Sequence, residues 1–165
     1  MKERKGTGAA PAGKGWEKLL GEAEALLDGE EDFIAAAANL SALLYHGLEA
    51  VNWAGVYRLR GGELVLGPFQ GRPACRRIPL GKGVCGTAAR EGKSLVVPDV
   101  HAFPGHIACD AASRSEIVVP VKRKGRVLGV LDLDSPVRGR FGETDREALE
   151  HLAELLARAS GDGGA

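Results

Sequence analysis

The segment His101 to Glu116, HAFPGHIACDAASRSE, concentrates reactive side chains: one cysteine, two histidines and two carboxylates in sixteen residues. Pro104, Gly105 and the polar run Ser113-Arg114-Ser115 break any regular period. The segment therefore reads as an irregular loop with at most a short helical turn, and loops on rigid scaffolds are frequent carriers of function. Two further cysteines stand upstream, Cys75 in PACRR and Cys85 in GVCGTAA. Three chemistries suit such a set. A structural core cysteine fits Cys85 best, because small apolar residues surround it; Cys75 and Cys109 sit in polar, Gly-Pro-rich sequence. A zinc site wants ligands in short pairs, but nine and twenty-three residues separate the three cysteines, so no metal is expected. A thiol–disulfide couple needs an accessible thiolate and a second cysteine to resolve its sulfenic acid, and on chemistry alone it ranks first. Arg76 and Arg77 favour a thiolate at Cys75, whereas Asp110 acts against one at Cys109.

Carboxylates form the second group. Asp132 and Asp134 are two apart on a strand pattern, so both point to one face, shared with Leu128 and Val130. The neutral explanation is a strand end emerging into solvent. Glu116 offers a geometric test through the hairpin that joins its strand to theirs. With a two-residue turn, Lys124-Gly125, Arg123 faces Arg126 and Glu116 points away from the aspartates. With a three-residue loop, Arg123 to Gly125, Lys122 faces Arg126 and Glu116 falls opposite Asp132. Three-residue loops typically end in a left-handed residue, and Gly125 is placed for it, so the second geometry is expected. Glu116, Asp132 and Asp134 would then line one acidic pocket, with Trp53 and Tyr57 as an aromatic wall. Three such carboxylates suit an ammonium, and crowding raises the pKa of at least one, leaving a general acid. A thiol nucleophile, a general acid and an amine site together describe reduction of an oxidised, amino-acid-like substrate.

The elements that must position these groups follow from periodicity. Trp16 to Leu27 and Phe33 to Leu48 carry helical stripes, with Asp32 as N-cap of the second. From Asn52 the period changes to two: Trp53, Tyr57 and Leu59 share one face, and Ala54, Val56 and Arg58 the other. Arg60-Gly61-Gly62 turns the chain into a return strand, Glu63 to Phe69, and Pro73 to Pro79 is a candidate third strand. A short helix spans Val84 to Arg90 and ends at Gly92. Ser94 to Val97, Glu116 to Lys122 and Val127 to Asp134 read as further strands. A final helix runs from Thr144 to Ala159, with Thr144 and Glu147 as its capping box. The class is α+β, one antiparallel sheet with helices packed on it. Residues 1–15 read as a flexible tail and 16–160 as a single domain.

Composition narrows the class of function. The 165 residues are 44% hydrophobic with 22 basic and 22 acidic side chains, so there is no basic excess of the kind nucleic acid requires. No apolar run approaches a membrane span, and the N-terminus lacks the apolar core of a secretory signal. An odd count of three cysteines argues against a secreted disulfide scaffold and for a cytoplasmic protein.

The blocks GPFQGRPAC, GVCGTAA, PDVHAFPGHIACDAASRSEIVVP and GVLDLDSP closely resemble the free methionine-(R)-sulfoxide reductases, which are built on the GAF fold. The resemblance runs from about Asn52 to the last helix. It implies reduction of free L-methionine (R)-S-oxide rather than peptide-bound residues. It further implies that Cys109 attacks the sulfoxide sulphur and becomes a sulfenic acid, that Cys75 then forms the disulfide, and that thioredoxin reduces it, with no bound cofactor. Cys85 is implied as an accessory or alternative resolving thiol. Glu116, Asp132 and Asp134 match the family's pocket acids, and Trp53 and Tyr57 its aromatic residues around the methyl end. A cytoplasmic homodimer is also implied. Two other readings compete: a GAF-type module that binds a small ligand and signals, and a thiol sensor that only forms a disulfide.

Overall fold

The computed structural model describes residues 13–106 and 111–161, with side chains from residue 15. Cys109 and Asp110 lie outside the described residues. Four α-helices and six strands follow in the order α1 (Gly13–Leu27), α2 (Phe33–Gly47), β1 (Trp53–Arg60), β2 (Glu63–Gly71), β3 (Arg77–Pro79), α3 (Gly83–Glu91), β4 (Leu95–Val97), β5 (Ser115–Arg123), β6 (Arg126–Ser135) and α4 (Glu143–Arg158). The strands make one antiparallel sheet in the order β3-β2-β1-β6-β5-β4. Among the described residues no helix is long and apolar enough to cross a membrane.

Alternation along the strands divides the interior in two. Ala54, Val56, Ile117, Val119, Leu131 and Leu133 face a large core beneath α1, α2 and α4. The opposite set, including Trp53, Tyr57, Val118 and Val130, faces a smaller core closed by α3. Asp32 caps α2 through Oδ1, which accepts from Ala35 N at 2.9 Å. Gly92 closes α3 in the left-handed conformation, φ 63°, where a side chain would be strained. The segment after β4 holds a 3-10 turn, Val100–Ala102.

Two expectations are corrected here. α4 is capped at Gly142, not by Thr144 with Glu147. Asp145 reaches back so that its Oδ2 accepts from Gly142 N at 2.9 Å, while its Oδ1 accepts from Trp16 Nε1 at 2.8 Å. The second bond ties α1 to α4, so a tertiary partner decides which acid caps the helix. The β5–β6 hairpin turn is the two-residue Lys124-Gly125, with Arg123 opposite Arg126. Both turn residues are left-handed, φ 51° and 75°, the backbone of a type I′ turn. The pairing then slips: Lys122 faces Val127, but Val121 faces Gly129, so Leu128 is an extra residue in β6. This β-bulge reverses the facing of everything beyond it. Leu128 consequently packs on the large core, away from the face shared by Val130, Asp132 and Asp134.

Candidate active site

The slipped register sets the site. Beyond the bulge, Glu116 lies opposite Asp134, and Asp134 opposite Trp53, so a row crosses three strands. In the next row, Val118, Asp132 and Gly55 are neighbours. Side chains at paired positions point to the same face, so all three acids face the smaller core. Gly55 leaves room there: a Cβ at this position would lie 2.6 Å from Trp53 Cη2.

A cavity partly open to solvent occupies this face. Glu116, Asp132 and Asp134 line its floor, Trp53 and Tyr57 one wall, and Lys82, Gly83, Val84 and Cys85 the start of α3. Trp53 stacks on Tyr57 at 5.9 Å and on Phe69 at 5.3 Å between ring centroids. Both aromatic residues also spend their polar atoms on the segment 72–76. Trp53 Nε1 donates to Arg72 O at 3.1 Å, and Tyr57 Oη donates to Cys75 O at 2.9 Å. These bonds hold Pro73 and Ala74 against the cavity, and Cys75 follows them directly.

Cys85 is a free, buried thiol, delivered by the first turn of α3. Its Sγ is 3.2 Å from Asp132 Oδ2 and 3.8 Å from Glu116 Oε1, with the S–H as donor. Burial, then repulsion from Asp132 and Glu116, pushes the thiol pKa well up. The acids respond in kind. Burial lifts the Glu116 carboxyl well above the usual carboxylate range, and the neighbouring Asp132 adds to it. Burial also lifts Asp132, with repulsion from Asp134 next. Both shifts favour the protonated carboxyls. Tyr57 is raised for the same reasons, burial first and Asp132 second, and stays a phenol.

Sequence reasoning did not assign three residues that line the cavity, Lys82, His106 and Ser113, nor Phe69, which stacks on Trp53. Phe69 extends the aromatic stack. Ser113 and His106 line the cavity from the segment that precedes β5, and Lys82 stands at its mouth before α3. Burial and the nearby His101 lower the His106 pKa. Of these, Phe69 carried a usable signal, since its strand pairs with that of Trp53; Lys82 and His106 are brought in by turns whose path the sequence does not specify. Among the described residues, Cys85, Glu116 and Asp132 each bring one possible ligand atom within 4.8 Å of the others, close enough to hold a metal ion together.

The GAF domain family matches residues 17–159. The chain is 54% identical over 134 residues to the free methionine-R-sulfoxide reductase of Escherichia coli, covering 81% of each. It is 44% identical over 151 residues to the protein of that name in Saccharomyces cerevisiae, covering 87% of this chain and 84% of the relative. The free methionine-R-sulfoxide reductase from Neisseria meningitidis, solved in complex with its substrate, superposes with a TM-score of 0.86 at 42% identity, over 96% of this chain and 95% of that one.

Proposed function

The chain belongs to the GAF domain family and, within it, to the free methionine-R-sulfoxide reductases, and from that premise we propose how its own residues reduce free L-methionine (R)-S-oxide. The observation that carries the reading is one cavity holding three acids, an aromatic wall and the segment leading into Cys75. An amino-acid ligand divides along these lines. Its ammonium suits the Glu116, Asp132 and Asp134 carboxyls. Its carboxylate suits Lys82 and the N-terminal amides of α3, which have no intrahelical acceptor. The methyl-sulfoxide end lies against Trp53 and Tyr57, whose faces pack apolar groups.

Chemistry begins at Cys109, whose thiolate attacks the sulfoxide sulphur. The sulfoxide oxygen is protonated by the proton that the Glu116–Asp132 pair retains. Methionine leaves, and Cys109 carries the oxygen as a sulfenic acid. Cys75 attacks that sulphur, releasing water and forming a disulfide. Two thiols are thereby oxidised for each sulfoxide reduced, and thioredoxin returns the electrons by thiol–disulfide exchange. Cys85 serves as an accessory thiol on the cavity wall. The bound ammonium offsets part of the acidic field, which otherwise disfavours a thiolate. Such a cycle belongs in a reducing compartment, the cytoplasm, and we place the enzyme there as a homodimer.

Blocking the substrate's amine tests this reading. N-acetyl-methionine (R)-S-oxide presents the same sulfoxide without a charge for the acids. The expected result is turnover of the free amino acid and little of the acetylated one. Equal kcat/KM for both would remove the acidic pocket from recognition and contradict the proposal.

A further inference from the structure

The cluster on the cavity wall joins a thiol to two acids that are themselves hydrogen-bonded to each other. Asp132 is 5% exposed, and its Oδ1 has no hydrogen-bond partner among the described residues. An unpaired carboxylate oxygen in the interior costs its full desolvation, so its presence points to something that it binds. The atoms around it have a definite geometry. Cys85 Sγ lies 3.2 Å from Asp132 Oδ2 and 3.8 Å from Glu116 Oε1. One ligand atom from each of Cys85, Glu116 and Asp132 falls within 4.8 Å of the others, and all three residues are buried. A tetrahedral ion with sulphur at about 2.3 Å and oxygen at about 2.0 Å holds its sulphur and oxygen ligands about 3.5 Å apart. The two observed separations straddle that value.

We infer that Cys85, Glu116 and Asp132 form a three-ligand site for a thiophilic divalent cation of the zinc class, with the fourth position open to the substrate cavity. One thiol with two carboxyl groups favours zinc or cobalt over magnesium or calcium, which take oxygen ligands alone. The Cys85 S–H surrenders its proton on ligation. Short movements suffice to close the shell, because two of the ligands stand on adjacent strands of one sheet and the third on the first turn of α3. The cation and the substrate's ammonium would compete for the same carboxylates. Zinc is therefore an inhibitor that competes with substrate; this half of the inference rests on the reductase reading, whereas binding itself does not.

Cobalt titration of the fully reduced, full-length protein separates the two halves. One Co²⁺ per chain should bind with a thiolate-to-metal charge-transfer band in the near ultraviolet. Cys85→Ser should remove that band and weaken Zn²⁺ binding by about a hundredfold or more, given that even outer-shell losses cost up to about that much. Asp132→Asn should weaken Zn²⁺ binding while keeping the band, which guards against a Cys85 variant that merely misfolds. Cys75→Ser and Cys109→Ser should both retain the site. No band in the wild type, or a band lost on removing Cys75 or Cys109 but kept in Cys85→Ser, would overturn the assignment. Zn²⁺ should raise the KM for the sulfoxide without lowering kcat. Binding with no effect on KM would overturn the competition and leave the reductase reading intact.

Discussion

Replacing Asp132 by asparagine removes a titrating proton from the interior while keeping the side chain's shape. Burial and the neighbouring Asp134 raise the Asp132 pKa, and burial and Asp132 raise that of Glu116. An acid with a raised folded-state pKa holds a proton that the unfolded chain releases near pH about 4. Its contribution is fully present below that pH and is lost as pH rises through the folded-state value. In this window each such proton gives a slope of about −1.4 kcal/mol per pH unit. For a chain of this size about 1 kcal/mol moves Tm by roughly 2–4 °C. The wild type should therefore lose about 3–6 °C more per pH unit than Asp132→Asn as pH rises from about 4 towards the raised folded-state value. Relief of repulsion on Glu116 acts in the same direction. His106, lowered by burial and by His101, has the opposite sign but is common to both proteins and cancels. The new amide adds an unsatisfied donor costing about 1–3 kcal/mol at every pH, which displaces the variant's curve without tilting it. Thermal melts of the reduced, ligand-free proteins across that range provide the assay. Parallel curves would show that Asp132 is ionised in the folded protein and would refute the proton-holding pair.

Four single substitutions and one double variant reach other parts of the site and fold. Cys109→Ser should fold normally and reduce no sulfoxide, read by circular dichroism and methionine release. Cys75→Ser should complete about one turnover and stall, unless Cys85 substitutes as the resolving thiol, which a Cys75/Cys85 double variant would reveal. Gly129→Ala places a Cβ against the Tyr57 carbonyl oxygen, closer than any van der Waals contact; it should cost at least about 1–3 kcal/mol and show as a lower denaturation midpoint. Asp145→Ala loses both the cap on Gly142 and the Trp16 bond, and should cost about 2–4 kcal/mol with little change in KM.

Most of the architecture is legible in periodicity. The alternation Trp53-Ala54-Gly55-Val56-Tyr57 separates the two cores, and Asp132 and Asp134 share a face because they are two residues apart. The hairpin shows where such reasoning stops. A three-residue loop was expected, and the observed two-residue turn alone would have pointed Glu116 away from the aspartates. The bulge at Leu128 adds one residue to β6 and brings Glu116 round again, opposite Asp134 instead of Asp132. Nothing local marks Leu128 as the extra residue; Gly129, which lets β6 approach Tyr57 closely, is the nearest clue. The cap of α4 is similar: Thr144 and Glu147 have the right spacing, but Asp145 prevails through its bond to Trp16, 129 residues away in sequence. From its small neighbours alone, Cys85 best fits a structural core cysteine, and the family resemblance alone makes it an accessory thiol. It is buried, yet it bonds two acids from β5 and β6, a contact that depends on how α3 crosses the sheet.

The central claim is that one chain converts one free sulfoxide by oxidising two of its own thiols. Pre-reduced protein, mixed in single-turnover conditions with the R or the S epimer of free methionine sulfoxide, tests it directly when methionine and remaining thiols are counted afterwards. The account predicts one methionine per chain from the R epimer, two thiols lost, and no product from the S epimer. Methionine from neither epimer, or product without loss of thiols, would contradict it.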